Sequence, residues 1–318
     1  MSLKKTDMIS SKLKLVVNDS LEGVNSNNNA GETRAWCLKA MPEMSEVLFS
    51  QWIDLINLRT GVLISETRKS FLLSKLTIRM REIKYDEYQK YFDLVSDERI
   101  GLIEWEILVD RLTIHETRFW RDASIYTLIQ KEYIEKNNLL NRKKLALQVW
   151  SVGCATGEEP YSLALWFEHF CSMNNIQNKQ GIHATDISLS ALATGREGIY
   201  PLNRLKNLPD KYLDFYFSKT EEDKYQINES IKDRVCFTKL NLMKVNSFPF
   251  SNFDIIVCQN VMIYFDQELR IRMLNELANY LKVGGIIILG AGEVLGWNHP
   301  KMESVSFQST LAFRRAFE

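Results

Sequence analysis

The chain has 318 residues, 45% hydrophobic and 25% charged, which suffices for one large domain plus a smaller one around a sizeable buried core. Forty Lys and Arg balance forty Asp and Glu, so no net field draws the chain to nucleic acid, and none is expected as a partner. The five cysteines (Cys37, Cys154, Cys171, Cys236 and Cys258) are odd in number, far apart and form no C-x-x-C, which argues against a disulfide framework or a zinc cluster and for a reducing compartment.

No apolar run approaches the roughly 20 residues a membrane span needs, and the first thirty residues are polar rather than a signal core. A cytoplasmic protein without membrane insertion is the expectation. Residues 1–43 are rich in Ser, Asn, Lys and Gly and read as a flexible polar extension, with Trp36 able to tack its end onto the body. Residues 44–115 read as a small all-α domain: Leu48, Trp52, Leu55 and Ile56, then Phe71, Leu72, Leu76, Met80 and Ile83, recur at three- and four-residue spacing, and residues 85–95 and 102–112 continue the pattern.

In the second domain, residues 116–318, a further helical stretch near residues 120–136 precedes a change of character. The run LALQVWSV (145–152) ends at Gly153, as a strand buried on both faces would. A helix is expected from Pro160 to Cys171, a strand at 181–185 ending on Asp186, a strand at 253–258, a helix at 267–281 and a strand at 286–289 after Gly284 and Gly285. Alternating strands and helices predict a doubly wound α/β sheet of Rossmann-like type, with ligands beyond the strand C-termini. Residues 305–317 alternate like a closing antiparallel hairpin. Residues 200–239 read as a small antiparallel β-subdomain, with short strands at 225–227 and 235–238.

The segment VGCATGEE (152–159) follows a strand and opens a helix, where glycine lets backbone approach a nucleoside closely. It is not G-x-G-x-x-G, and two glutamates in the first helical turn would repel a pyrophosphate, so a ligand with positive charge is better matched. S-adenosylmethionine, with a sulfonium, an ammonium and no phosphate, is such a ligand. Asp186 ends the next strand, where an acceptor-only group can hold ribose hydroxyls; the alternative is a helix cap. Glu158 and Glu159 have an alternative as well, since acids in a first turn stabilise the helix by about 0.3–1 kcal/mol.

WSVGCATGEEPYS (150–162) resembles the cofactor motif of the CheR family of chemotaxis-receptor glutamate methyltransferases. Four more stretches follow the family's pattern: TRFWRD (117–122) like T-x-F-F-R-[DE], ATDI (184–187) with GIYP (198–201), FDIIVCQNVMIYFD (253–266) like F-D-x-I-x-C-R-N-V-x-I-Y-F, and GAGE (290–293) in place of G-H-S-E. The long N-terminal extension is similar to that of the pilus-motility branch, PilK.

The resemblance implies a methyltransferase domain preceded by the all-α domain, S-adenosylmethionine as cofactor with S-adenosylhomocysteine as product, and no metal. It implies that His115 and Thr117 help hold the cofactor, that Glu159 takes the ammonium, Asp186 the ribose, and Asn241 and Leu242 the adenine. Gly153, Gln259 and Asn260 then sit beside the cofactor, and Arg121 and Tyr264 face the reacting methyl. Two positions depart from the family: His115 stands where Asn is usual and Gln259 where Arg is usual.

By the same resemblance the partner is the cytoplasmic helical region of a methyl-accepting receptor, methylated on glutamate. The stretch at 217–225 is short and lacks the glycine of family members that tether to a receptor tail, so no tethering is expected. Two other readings stand beside this one. A catalytically weak signalling adaptor is motivated by Gln259 and His115, and a small-molecule methyltransferase would need only a low-molecular-weight acceptor. Arg121 can instead pair with Asp122, and Tyr264 alone would read as core.

Overall fold

The computed structural model describes residues 42–113, 116–221, 223–290, 292–294, 296–307 and 310–317. The expected extension at 1–43, with Trp36 and Cys37, falls almost wholly outside the described residues, as does His115.

Four helices form the N-terminal domain: α1 (Glu46–Thr60), α2 (Lys69–Glu82), α3 (Tyr88–Ser96) and α4 (Leu102–Leu112). The Ser45 hydroxyl caps α1 by accepting from the Leu48 N–H, and Gly61 ends it in a left-handed turn. The three- and four-residue spacing places Trp52, Ile56, Leu72, Leu76, Met80, Tyr91 and Leu108 in one buried cluster. A polar network crosses this cluster. The Glu104 carboxylate receives Arg79 Nε at 2.8 Å and Nη2 at 2.7 Å, and the Tyr91 hydroxyl at 2.7 Å.

Helix α5 (Ser124–Leu128) runs on into a π-helical turn at Ile129–Glu135. The sheet begins with β1 (Gln148–Val152), followed by α6 (Glu158–Met173), β2 (Gly181–Asp186) and α7 (Leu189–Glu197). An excursion of three antiparallel strands follows, β3 (Ile199–Pro201), β4 (Phe217–Glu221) and β5 (Lys224–Ile227), paired in the order β3-β5-β4. The main sheet resumes with β6 (Val235–Lys239), β7 (Phe253–Cys258), α8 (Gln267–Tyr280), β8 (Leu281–Leu289), β9 (Met302–Phe307) and β10 (Thr310–Arg315).

The seven main strands lie in the order β9-β10-β8-β7-β1-β2-β6, parallel from β8 to β6, with β10 antiparallel to both β8 and β9. The closing hairpin is therefore present, starting three residues earlier than expected. The sequence pattern places residues 235–239 with the excursion, whereas in the structure β6 pairs in parallel with β2, Ile182 opposite Val235 through Asp186 opposite Lys239, and is the edge of the main sheet.

Successive residues of the central strands enter opposite layers. Val149, Ile255, Val257, Ile286 and Ile288 pack with Leu163, Ala164 and Phe167 of α6, whereas Trp150, Val152, Ile256, Cys258 and Ile287 pack with Met273, Leu274 and Leu277 of α8. Burial on both faces is why these strands are apolar throughout instead of alternating. The helical domain meets the sheet at the strand C-termini: the Leu63 N–H donates to the Tyr264 carbonyl at 2.8 Å, Asn241 Nδ2 donates to the Arg59 carbonyl at 2.7 Å, and Lys239 pairs with Glu106.

Glu104→Ala takes the acceptor from the buried Tyr91 hydroxyl and leaves Arg79 only its more exposed pair with Glu82, and should lower the urea-unfolding free energy by about 1–3 kcal/mol. Exposed Lys90→Ala, which removes the surface ion pair with Glu87, should leave the same measurement unchanged within error.

Candidate active site

Where β1 and β2 end side by side, the chain leaves β1 through a tight loop. The Gly153 and Cys154 N–H groups donate to the Thr185 carbonyl at 2.8 and 3.0 Å, and the Ala155 N–H donates to Asp186 Oδ2 at 2.9 Å. Gly153 has φ +68°, and a Cβ there would lie 2.3 Å from Val261 Cγ2, so both the backbone conformation and the neighbouring loop require glycine. Asp186 Oδ1 accepts from the Ser188 N–H at 2.9 Å, while the N-cap of α7 is Ser188, whose hydroxyl accepts from the Ala191 N–H. The cap alternative for Asp186 thus passes to Ser188.

The two glutamates that open α6 have different surroundings. Glu158 is fully buried, accepts from the Thr156 hydroxyl at 2.6 Å and faces Arg204 at 3.6 Å, which makes it part of the packing under the loop. Glu159 faces a cavity and accepts from the Ser151 hydroxyl at 2.7 Å. Burial pushes its carboxyl up to about 7, against the lowering effects of Ser151 and the Arg121 charge.

Two adjoining cavities open over this loop. The first is mainly apolar and brings together Gly153, Asp186, Asn241, Leu242, Asn260 and Tyr264. Its other wall comes from the helical domain, with Ile56, Val62, Phe71, Trp105 and Val109 among its residues. The second is polar and brings together Thr117, Arg121, Gly153, Glu159, Gln259, Asn260 and Tyr264. Gly153, Ala155, Asn260 and Tyr264 line both, so the cavities are two ends of one cleft. Every expected site residue except His115, which is not described, lines it.

The polar end has its own scaffold. Arg121 is exposed and donates through Nη1 to the Glu116 carbonyl at 3.0 Å, not to Asp122. Asp122 is occupied by the Ser124 N–H at 3.0 Å and by Gln259 Nε2 at 3.0 Å, so the residue that departs from the family pattern ties the Arg121 segment to the loop after β7. Arg204 donates to the Thr117 carbonyl. The Asn241 amide is committed to the Arg59 carbonyl and to the Met243 N–H at 3.0 Å, so it contributes a fixed wall. Tyr264 is half-buried, and burial raises its phenol above the usual value, keeping it protonated and able to donate.

Sequence reading missed the helical-domain wall, because residues such as Trp105 and Ile56 carry the same apolar periodicity as core residues. It also gave no role to Glu293, quoted only as a motif member, whose buried carboxylate supports the loop at 260–262.

Comparison with known proteins agrees with this architecture. Residues 48–113 match the family model described as CheR methyltransferase, all-alpha domain, and residues 115–311 match CheR methyltransferase, SAM binding domain. The chain belongs to the CheR methyltransferase family. It is 36% identical over 255 residues to the chemotaxis protein methyltransferase of Borreliella burgdorferi, covering 78% of this chain and 88% of that one. It is 29% identical over 254 residues to the chemotaxis protein methyltransferase of Escherichia coli K12, covering 79% and 85%. The chain is an S-adenosylmethionine-dependent methyltransferase.

The residues of this CheR-family cleft fit that cofactor. An apolar slot suits a purine, and carboxyl groups stand at Asp186 and Glu159. Glu159 should bind an ammonium as carboxylate only. Since its carboxyl sits at about 7 in the free protein, calorimetric affinity for S-adenosylhomocysteine should fall by up to about tenfold per pH unit as pH drops below 7. Glu159→Gln should bind more weakly at pH 8 and lose this slope. Gly153→Ala should weaken the same binding by at least about 30-fold, a loss of roughly 2 kcal/mol, because the added carbon displaces the Val261 loop.

Proposed function

We propose that this chain methylates glutamate side chains on the cytoplasmic helical region of a methyl-accepting chemotaxis receptor. The observation that carries the proposal is the continuity of the cleft: an apolar end fit for adenosine opens through Gly153, Asn260 and Tyr264 into a polar end bearing Arg121. The names of the relatives, chemotaxis protein methyltransferases, supply the signalling context.

When bound, S-adenosylmethionine supplies an electrophilic methyl group on a sulfonium. The acceptor carboxylate has an ordinary pKa near ~4.3 and is ionised at neutral pH, so no residue of this chain has to act as a general base. What the chain does is hold and align. Asp186 faces the ribose and Glu159 the ammonium, while Leu242 and the fixed Asn241 wall the adenine. Arg121 spends one N–H on the Glu116 carbonyl and keeps the rest of its fork for a carboxylate. Tyr264 donates a hydrogen bond to the same acceptor group. Gln259 holds Asp122, and through it the Arg121 segment, in register with the Asn260 loop. Gln259 therefore favours a working enzyme over an adaptor. Placing a nucleophile about 3–3.5 Å from its target with water excluded can remove several kcal/mol of barrier.

Tritiated methyl transfer from S-adenosylmethionine into membranes bearing the cognate receptors tests the proposal; label appearing only on small molecules would sink it. Asp186→Ala should abolish measurable S-adenosylhomocysteine binding. Arg121→Ala should leave that binding within about threefold of wild type and lower turnover about 100-fold, as expected for a residue that aligns the acceptor. An isolated receptor-tail peptide should show no tight calorimetric binding to this chain.

A further inference from the structure

The loop after β7 carries Asn260 and Tyr264, the two side chains of that loop that line both ends of the cleft, and a 3-10 turn at Met262–Tyr264 is its regular part. Asn260 sits at φ +62°, a conformation that asparagine tolerates better than most residues but that still needs support. The support comes from one side chain. Glu293, fully buried, accepts from the Asn260 N–H at 3.0 Å and the Gly290 N–H at 2.7 Å through Oε2, and from the Met262 N–H at 3.1 Å through Oε1. No lysine or arginine forms an ion pair with it among the described residues. Among the described residues its carboxylate is met by backbone N–H groups, those three and that of Ile263.

We propose that Glu293 is a positioning residue for methyl transfer, its carboxylate clamping the backbone at 260–262 so that Asn260 and Tyr264 face the reacting groups. The clamp has a second strand of support. Arg270 Nη1 reaches the Glu293 carbonyl at 3.4 Å and Nη2 reaches the Phe265 carbonyl at 3.2 Å, fastening the end of the loop and the backbone of Glu293 to α8. Gly290 is part of the same device, because a Cβ there would lie 2.1 Å from Glu293 Oε2. Burial raises the Glu293 carboxyl and the backbone donors lower it again, so the donors are what make the buried charge tolerable. A glutamine would offer one acceptor oxygen and turn an NH2 group towards N–H donors, leaving at least one of them unpaired.

This role rests on the methyltransferase reading of the cleft, and the test separates the two. Hydrogen exchange at residues 259–265, measured by mass spectrometry on the full chain, needs no acceptor protein. Glu293→Gln should speed exchange there by about tenfold or more. Turnover per site, with sites counted by S-adenosylhomocysteine calorimetry, should fall about 10- to 100-fold while the receptor KM stays within about threefold. Gly290→Ala keeps the carboxylate but pushes it aside, should give the same pattern, and decides the matter alone if the glutamine variant does not fold. Asp254→Asn is the control. It alters another buried carboxylate, at the opposite end of β7, and should lower stability without changing exchange at 259–265 or turnover per site. Unchanged exchange at 259–265 in Gly290→Ala, or in folded Glu293→Gln, overturns the role of Glu293, as does turnover per site within twofold of wild type. A wild-type chain that fails to methylate receptors counts instead against the proposed substrate.

Discussion

Everything in the cleft depends on the seam where the loop after β1 is sewn to the end of β2. Three consecutive N–H groups, of Gly153, Cys154 and Ala155, are spent on the Thr185 carbonyl and the Asp186 carboxylate. The seam exists because β1 and β2 are parallel and end level, with Val152 opposite Thr185. It gives Asp186 two duties at once, since the carboxylate that lines the apolar end of the cleft also fixes the loop that forms its floor. Carboxylates accept at several positions, so the duties are compatible, but neither can be altered without the other.

The adjacent glutamates of α6 show how finely the helix sorts its first turn. One residue further along turns the side chain by about 100°, enough to carry Glu158 under the loop towards Arg204 and Glu159 out towards Ser151 and the cavity. The sequence alone could pair both acids with a cationic ligand. Which one faces the cleft is set by rotation about the helix axis.

Legibility followed the same physics. Strands β1, β7 and β8 were readable because burial on both faces demands uninterrupted apolar runs, and Gly153, Glu159 and Asp186 because they follow such strands directly. β6 was misplaced for the opposite reason. It is an edge strand with mostly half-exposed residues, so its local pattern does not say which sheet it joins. The apolar cavity wall was illegible because a tryptophan lining a slot and a tryptophan filling a core obey one periodicity. Gln259 read as a departure from its family, and only the Asp122 carboxylate opposite it gives the substitution a physical use.

The apolar end of the cleft is roofed by one domain and floored by another. Neither half alone lines the whole apolar slot, so deleting the helical bundle would open it to solvent on one side. A ligand seated there would touch both folded bodies, and its exit would work against the polar links that join them.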